Sequence, residues 1–441
     1  MAEAQAGAPL TYARVFHIAY PIVLSNATVP ILGVVDTGVI GQMGEAAPIG
    51  AVGIGAIILS AIYWMFGFLR MGTVGFASQA RGAGDEPEVD AVLTRALLIG
   101  IAGGLALIVL QIPIFWGAFA IAPASDDVEM LARNYMMIRI WSAPAAIGVY
   151  AVTGWLIAAE RTRAVLAMQL WMNGLNIALN FFFVLGLGWG VEGVAFATFL
   201  AEWSGFALGL WLCRGAFRRP HWRTWPHVFD GTKLKRLAAV NGDIMVRSVL
   251  LEGIFVSFMF VGSDFGDVPL AANQILLQFL MVTAFAMDGF AFAAETLVGQ
   301  AMGARRQAAL RRSAVLSSVW GLATVVALAV LFALFGPWAI DIMTTAEDVR
   351  AEARVYLGYM IVVPLAGVAA WMFDGIFIGA TRTADMRNMM LLSFAIYCVA
   401  AAALVPSLGN HGLWIALLIS FIARGITLGL RYPALERAAC R

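Results

Sequence analysis

The chain has 441 residues, of which 61% are hydrophobic and only 12% are charged, and its formal net charge is +1. This composition excludes an ordinary soluble domain, and the near-zero charge gives no indication of a nucleic-acid partner. Apolar stretches long enough to cross a hydrocarbon core of about 30 Å recur along the whole chain. We therefore predict an all-α polytopic membrane protein whose helix bundle is itself the functional unit.

Division of the chain at charged and Gly/Pro-rich segments predicts twelve transmembrane helices. An even number places both termini on one side of the membrane, and the arginine-rich loops after the fourth, sixth, eighth and tenth helices fall on that side too. By the positive-inside rule this face is cytoplasmic. The predicted helices lie near 14–40, 51–80, 93–121, 133–158, 165–187, 191–213, 236–262, 268–300, 313–342, 354–380, 387–407 and 411–431.

An internal repeat organises the chain. At an offset of 221 residues, "GWLIAAERTRAVLAM" (154–168) matches "GIFIGATRTADMRNM" (375–389), and "QARGAG" (79–84) aligns with "QAMGAR" (300–305). We predict two pseudo-symmetric lobes of six helices each, a design typical of secondary transporters that open a cavity alternately to each side. The N-terminal lobe is 1–213, a basic cytoplasmic linker is 214–235, and the C-terminal lobe with a short cytoplasmic tail is 236–441.

Charged residues inside the predicted helices are candidates for function, because each costs about 2.5–3.5 kcal/mol at a helix centre unless it finds a partner or water. The N-terminal lobe has Asp36, Arg70 and Glu202, and the C-terminal lobe has Asp243, Arg247, Glu252, Asp288, Glu295 and Asp374.

Asp36 is the most isolated of these residues, in "VPILGVVDTGVIG" (29–41). Its best candidate partners are Asn176 and Asn180 in the fifth helix, which are four residues apart and so share a helix face with each other. A carboxyl in such a pocket could load a proton in one conformation and release it in another, since desolvation disfavours the charged form. A purely structural hydrogen bond is the alternative interpretation.

The other charged residues have two interpretations each. Asp243 and Arg247 are four residues apart, so an intrahelical ion pair is expected. Alternatively, Arg70 or Arg247 recognises an anionic group of a substrate. The acids of the C-terminal lobe are candidates for cation binding, for internal salt bridges or for a second coupling ion.

Prolines suggest a mechanical element in the first helix. Pro21 and Pro30 each remove a backbone hydrogen bond on the approach to Asp36 and predict kinks there. Either these kinks are static, or a bend that depends on the charge of Asp36 links that charge to the shape of the cavity.

Several motifs resemble one known family. They are "VVDTGVIG", "FLRMGTVGFASQA", "NGDIMVRS", "AMDGFAFAAETLVGQAMGAR" and "FDGIFIGATRTADMRN". With twelve helices in two repeats, the chain is similar to multidrug and toxic compound extrusion (MATE) transporters, and more narrowly to their DinF branch. This resemblance implies a multi-pass antiporter of the cell inner membrane that exports xenobiotic and other organic compounds against an inward flow of protons or sodium ions.

The resemblance also assigns roles to residues. It places Asp36 where family members bind the coupling cation, with Asn176 and Asn180 beside it, and makes Pro21 the hinge whose bending follows protonation. Some proton-coupled relatives have an aspartate in place of Asn180 and a tyrosine in place of Leu32. Sodium-coupled relatives use acids of the seventh and tenth helices, where this chain has Glu252 and a displaced Asp374.

We expect a proton-coupled multidrug exporter with Asp36 as the coupling carboxylate. The alternatives are sodium coupling, or an exporter or flippase of anionic metabolites or lipid-linked substrates. An enzyme is not expected, because the four histidines are dispersed and form no ligand or triad spacing. Nucleotide-driven pumping is not expected either, because no "GxxxxGK[ST]" motif occurs. We expect no cofactor, no bound metal and no nucleic acid, and a monomer whose partners are small organic substrates, the coupling ion and membrane lipid.

Overall fold

The computed structural model describes residues 9–42, 46–121 and 125–440, so the extreme termini, residues 1–8 and 441, lie outside the described residues. Within these ranges the regular structure is helical and contains no β-strand. Twelve helices are long and apolar enough to cross a membrane, which confirms the predicted fold class and number of helices. We number them spans 1 to 12: Tyr12–Gly41, Ala47–Ala83, Glu86–Val109, Asp126–Ala158, Thr162–Gly186, Gly190–Leu212, Gly231–Ser263, Asp267–Gly303, Gln307–Met343, Glu347–Gly379, Thr383–Leu408 and Asn410–Ala438.

The predicted third helix, 93–121, is wrong at both ends. Span 3 ends at Val109, and a separate helix, Gln111–Ile121, follows it. Pro113 explains this break, because it has no N–H to donate to the carbonyl of Val109 and its ring would clash with that carbonyl. At the other end the helix begins at Glu86, where Asp85 accepts a hydrogen bond from the backbone N–H of Glu88 at 3.1 Å.

The basic linker is ordered against the start of span 3. Arg219 binds Asp90 with an N–O distance of 2.7 Å, and Lys233 binds Glu88 at 2.6 Å. Glu88 also forms an ion pair with Arg95 of its own helix, with 2.6 Å between Oε1 and Nη1. The linker therefore pairs with acids of span 3 in addition to its expected role in setting topology. Its short helices are Arg214–Phe217, Pro220–Arg223 and Trp225–Val228.

Span 7 begins directly after Asp230. The Asp230 carboxylate accepts hydrogen bonds from the backbone N–H groups of Thr232 at 2.9 Å and Lys233 at 3.2 Å. These bonds lower the pKa of Asp230, because they stabilise its charged form. The cap fixes where the linker ends and the helix begins.

The sequence repeat is visible in the backbone. Six residues with left-handed φ values form three pairs separated by 221, 221 and 219 residues, and each one lies where one span ends or the next begins. Three of these residues, Glu160, Arg305 and Thr381, carry side chains that rarely adopt such values, so the turn geometry is specific. The pairs are Gly84 (φ 73°) with Arg305 (φ 54°), Glu160 (φ 56°) with Thr381 (φ 51°), and Gly190 (φ 57°) with Gly409 (φ 56°).

The chain forms two compact units. The first comprises the chain up to Val23, Val74–Gly84 and the chain from Arg236 onward, and the second comprises Leu24–Thr73 and Asp85–Lys235. The core of the first contains Phe258 and Trp414, whose ring centroids are 4.6 Å apart. The core of the second unit contains the fully buried residues Tyr135, Met136 and Ile140. The division into lobes 1–213 and 236–441 stays a prediction.

Candidate ion-coupling site

The three residues predicted to couple ion movement lie together in the second unit. The side-chain amide of Asn180 donates a hydrogen bond to Asp36 Oδ1 at 2.6 Å and another to Asn176 Oδ1 at 2.8 Å. Asn176 and Asn180 are almost completely buried, and Asp36 is half-buried. A single chain of hydrogen bonds thus runs from the carboxylate of span 1 into span 5.

The amide chain continues beyond these three residues. Asn176 donates to Thr198 Oγ1 at 2.8 Å, and Thr198 donates to the carbonyl of Val194, so the chain ends on the backbone of span 6. Thr198 has no charge and was not singled out from the sequence. Hydrogen bonds among residues of spans 1, 5 and 6 therefore orient the side-chain NH2 group of Asn180 toward Asp36.

A second amide contact links span 5 to a break in span 1. Asn173 donates to Thr28 Oγ1 at 2.8 Å. Thr28 separates the helices Tyr12–Ala27 and Val29–Gly41, and Pro30 is the second residue of the latter. Pro21 is buried within the continuous first helix, so span 1 is interrupted before Pro30 and stays helical through Pro21. The role of Pro21 as a hinge stays a prediction.

Span 5 changes its helical geometry at the site. The α-helix ends at Asn180 and continues as a π-helical segment, Phe181–Gly186. Single π-helical turns in α-helices are frequent at functional positions, because they redirect side chains by adding one residue to a turn. Asn180 also has one unsatisfied group, since its Oδ1 is buried without a hydrogen-bond partner among the described atoms.

A buried ion pair lies in the same unit, and only its acid, Glu202, was identified from the sequence. Arg139 Nη1 and Glu202 Oε1 are 3.0 Å apart, and their side chains are 8% and 13% exposed. The backbone carbonyl of Arg139 accepts hydrogen bonds from the hydroxyls of Tyr63 at 3.2 Å and Ser142 at 2.6 Å. Arg139 exerts an attractive Coulomb interaction on Asp36. Its position inside an apolar helix was the signal that could have identified it.

Asp374 lies between two arginines in the first unit. Its Oδ2 forms a short ion pair with Arg247 and lies 3.7 Å from Arg424 Nη2. All three residues are less than 10% exposed. We call this group the Asp374 cluster. Arg424 was missed in the sequence, although an arginine in the apolar part of span 12 is the same kind of signal as Arg139.

Asp243 pairs with another helix. Its carboxylate lies 2.5 Å from Arg387 Nη1 and accepts a hydrogen bond from Thr383 at 3.0 Å. The expected intrahelical pair with Arg247 was therefore wrong, because both residues find closer partners in spans 10 and 11.

The remaining candidates differ in their exposure. Glu252 is exposed, Asp288 is half-buried, and Glu295 is 1% exposed. Arg70 is buried at 9% exposure and, like Asp288 and Glu295, has at least one polar or electrostatic interaction. No group of three or more His, Cys, Asp or Glu side chains in the described part of the chain could hold a metal ion.

Comparisons with known proteins agree with the motifs. A family model described as MatE matches residues 21–182 and 244–403. The chain is 36% identical to DNA damage-inducible protein F of Escherichia coli over 94% of this chain and 90% of that protein. It is 28% identical to the probable multidrug resistance protein NorM of Bradyrhizobium diazoefficiens over 97% and 94% of the two chains.

Solved structures share the fold. A structure of the Vibrio cholerae MATE transporter VcmN in the bent form matches with a TM-score of 0.87 at 20% identity, covering 97% of both chains. An outward-facing multidrug resistance MATE family transporter matches with a TM-score of 0.87 at 18% identity, covering 98% of this chain and 97% of that one. At these identities the likeness shows the fold alone.

Proposed function

The chain belongs to the MATE family, whose members are multi-pass membrane transporters rather than enzymes, and we propose that it is a proton-driven antiporter of small organic compounds. It exports cationic or amphipathic, multidrug-type compounds by alternating access, and Asp36 carries the coupling proton. The observation that carries this proposal is the 2.6 Å hydrogen bond from Asn180 to Asp36. The protein acts as a monomer in the inner membrane with both termini in the cytoplasm, as the arginine-rich loops favour.

The contacts of Asp36 suit a group that gains and loses a proton. An ionised carboxylate only accepts hydrogen bonds, and Asn180 supplies a donor. A protonated carboxyl can itself donate, and Asn180 Oδ1 is a buried acceptor without a partner. A rotation of the Asn180 amide would exchange the two arrangements and would also disturb its bond to Asn176.

Span 1 offers a route from this exchange to a change of shape. Asp36 lies in the helix Val29–Gly41, which is separated from the preceding helix at Thr28. Thr28 is held by Asn173 of span 5, the same helix that provides Asn180. Span 5 therefore contacts span 1 at the carboxylate and at the break. Loss of the charge on Asp36 weakens its hydrogen bond from Asn180, while the Asn173–Thr28 hydrogen bond at the break remains. The helix Val29–Gly41 can then move about the break at Thr28.

Two features favour a proton over a sodium ion. Hard cations are usually held by several oxygen ligands, whereas Asp36 is the only carboxylate within the described hydrogen-bonded chain at Asn180 and Asn176. In the first unit, Asp374 Oδ2 is occupied by Arg247, whose guanidinium takes the place that a cation would need. Sodium coupling remains the alternative to be tested.

The decisive experiment measures efflux from proteoliposomes under separately imposed proton and sodium gradients, with cationic and anionic compounds. The variants are Asp36→Asn and, as a matched control, Glu192→Gln, which removes an exposed acid of the same unit. We expect a proton gradient alone to drive export by the wild type and by Glu192→Gln, and Asp36→Asn to insert and fold normally but to lose this export.

Undiminished proton-driven export by Asp36→Asn would overturn the assignment of Asp36. A strict requirement for sodium would replace proton coupling with sodium coupling. Transport of anions alone would replace the proposed substrates with anionic metabolites or lipid-linked compounds.

A further inference from the structure

The Asp374 cluster carries more positive than negative charge. It contains two guanidinium groups and one carboxylate, all buried. Arg247 forms the close ion pair, while Arg424 is 3.7 Å from the same oxygen, too far for a hydrogen bond. A buried charge without full compensation is costly, so the cluster as it stands favours an additional negative charge near Arg424.

The guanidinium of Arg424 has unused donor capacity. Within the described part of the chain, its Nε is buried without a hydrogen-bond partner, and Nη1 makes only a long contact of 3.9 Å to the sulfur of Met390. The Arg424 side chain is almost completely buried, with 3% of its surface exposed. An arginine has five N–H donors and no acceptor, so only an anion or a neutral acceptor can satisfy these groups.

A narrow cavity within the first unit adjoins Arg424. Its polar lining consists of Arg424, Ser393 and Ser420, and no carboxylate lines it. The two serine hydroxyls donate to the carbonyls of Met389 at 2.8 Å and Leu417 at 2.7 Å within their own helices. A hydroxyl can rotate and donate elsewhere, so both can turn toward an anion in the cavity.

The size and the apolar wall restrict the ligand. The cavity has room for about one water-sized solute and not for an organic compound. Most of its wall is apolar, including Phe421, over whose ring the Arg424 guanidinium lies at 5.5 Å from the centroid. Dehydration in such a place is least costly for a large, singly charged ion and most costly for sulfate or phosphate.

We propose that this cavity is a binding site for one weakly hydrated monovalent anion of the halide class, held by Arg424 with Ser393 and Ser420. The site belongs to the first unit, whereas the residues assigned to ion coupling belong to the second, and this inference does not depend on the proposed function. The bound anion completes the neutralisation of the Asp374 cluster and stabilises the packing of spans 11 and 12 against span 7.

The test uses the purified full-length protein in nanodiscs and follows its thermal unfolding. Sodium chloride, bromide and fluoride are titrated against sodium gluconate at constant ionic strength. We expect saturable stabilisation that is strongest with bromide and weakest with fluoride. Arg424→Gln should weaken the apparent halide affinity at least tenfold, whereas Arg431→Gln, which removes an exposed arginine of the same span, should leave it unchanged.

A second measurement keeps the proposal testable if Arg424→Gln does not fold. Wild-type crystals grown in bromide should show an anomalous peak beside Arg424 and the two serines. Equal halide responses in wild type and Arg424→Gln would overturn the proposal. So would the absence of a bromide peak at this position at a concentration that saturates any stabilisation.

Discussion

Gly303 and Gln79 touch through their backbones: a β-carbon on Gly303 would overlap the carbonyl oxygen of Gln79. The relationship is reciprocal, since a β-carbon on Gly82 would overlap the carbonyl oxygen of Gln300. Both glycines stand three residues after the glutamine of their own copy of the repeat. The repeated Gln-x-x-Gly pattern is therefore a helix crossing in which each copy supplies the small residue that admits the other.

Replacement of Gly303 by alanine should destabilise the protein. The added methyl group meets backbone that cannot rotate away, and such overpacking costs about 1–3 kcal/mol or more. We expect a lower unfolding temperature for Gly303→Ala and Gly82→Ala in detergent. Gly358→Ala, where a β-carbon meets nothing within 4 Å, is the control. An unchanged unfolding temperature for Gly303→Ala would contradict the tight crossing.

Hydropathy was sufficient to predict the number of spans, because the cost of leaving apolar helices in water acts on every segment. Positions of helix ends were less predictable. Span 3 starts in a charged segment because Glu88 pairs with Lys233 of the linker, a residue far away in sequence. It ends early because Pro113 removes one hydrogen bond, which hydropathy does not register.

The pairing of charged side chains was the other feature that the sequence could not fully predict. The Asp36 site could be predicted because Asn176 and Asn180 share a helix face, a local property of the sequence. Asp243 and Arg247 have the same spacing, yet each pairs with a different helix. Spacing along one helix defines which pairs are possible, but tertiary packing decides which pairs form.

Removal of the Asn180 amide should impair transport more than folding. Asn180→Ala leaves Asp36 without its 2.6 Å donor, and loss of a buried hydrogen-bond partner costs about 1–3 kcal/mol. We expect at least a tenfold fall in ion-driven efflux, measured in proteoliposomes at equal protein content. Asn134→Ala, an exposed asparagine of the same unit, should transport normally. Normal efflux by Asn180→Ala would separate Asp36 function from the amide chain.

Neutralisation of Asp374 should be more destabilising than neutralisation of Asp243. Asp374→Asn leaves two buried arginines without a carboxylate, and breaking a buried ion pair costs about 3–5 kcal/mol. Asp243→Asn is milder because its partner Arg387 is 36% exposed and can be solvated. Thermal unfolding of both variants in the same detergent compares them, and a smaller effect for Asp374→Asn would refute the role of the cluster.

The native cysteines allow a test of the predicted orientation. Cys440, near the C-terminus, is exposed, whereas Cys213 is buried, and burial raises the pKa of its thiol to about 12. At pH 7 the Cys213 thiol is therefore neutral and unreactive toward maleimides, because the thiolate is the form that attacks the maleimide double bond. In a Cys398→Ser background, a membrane-impermeant maleimide should label Cys440 in inside-out vesicles and not in right-side-out spheroplasts. Cys440→Ser should abolish this labelling. Labelling of intact spheroplasts would place the C-terminus outside and reverse the orientation derived from the arginine-rich loops.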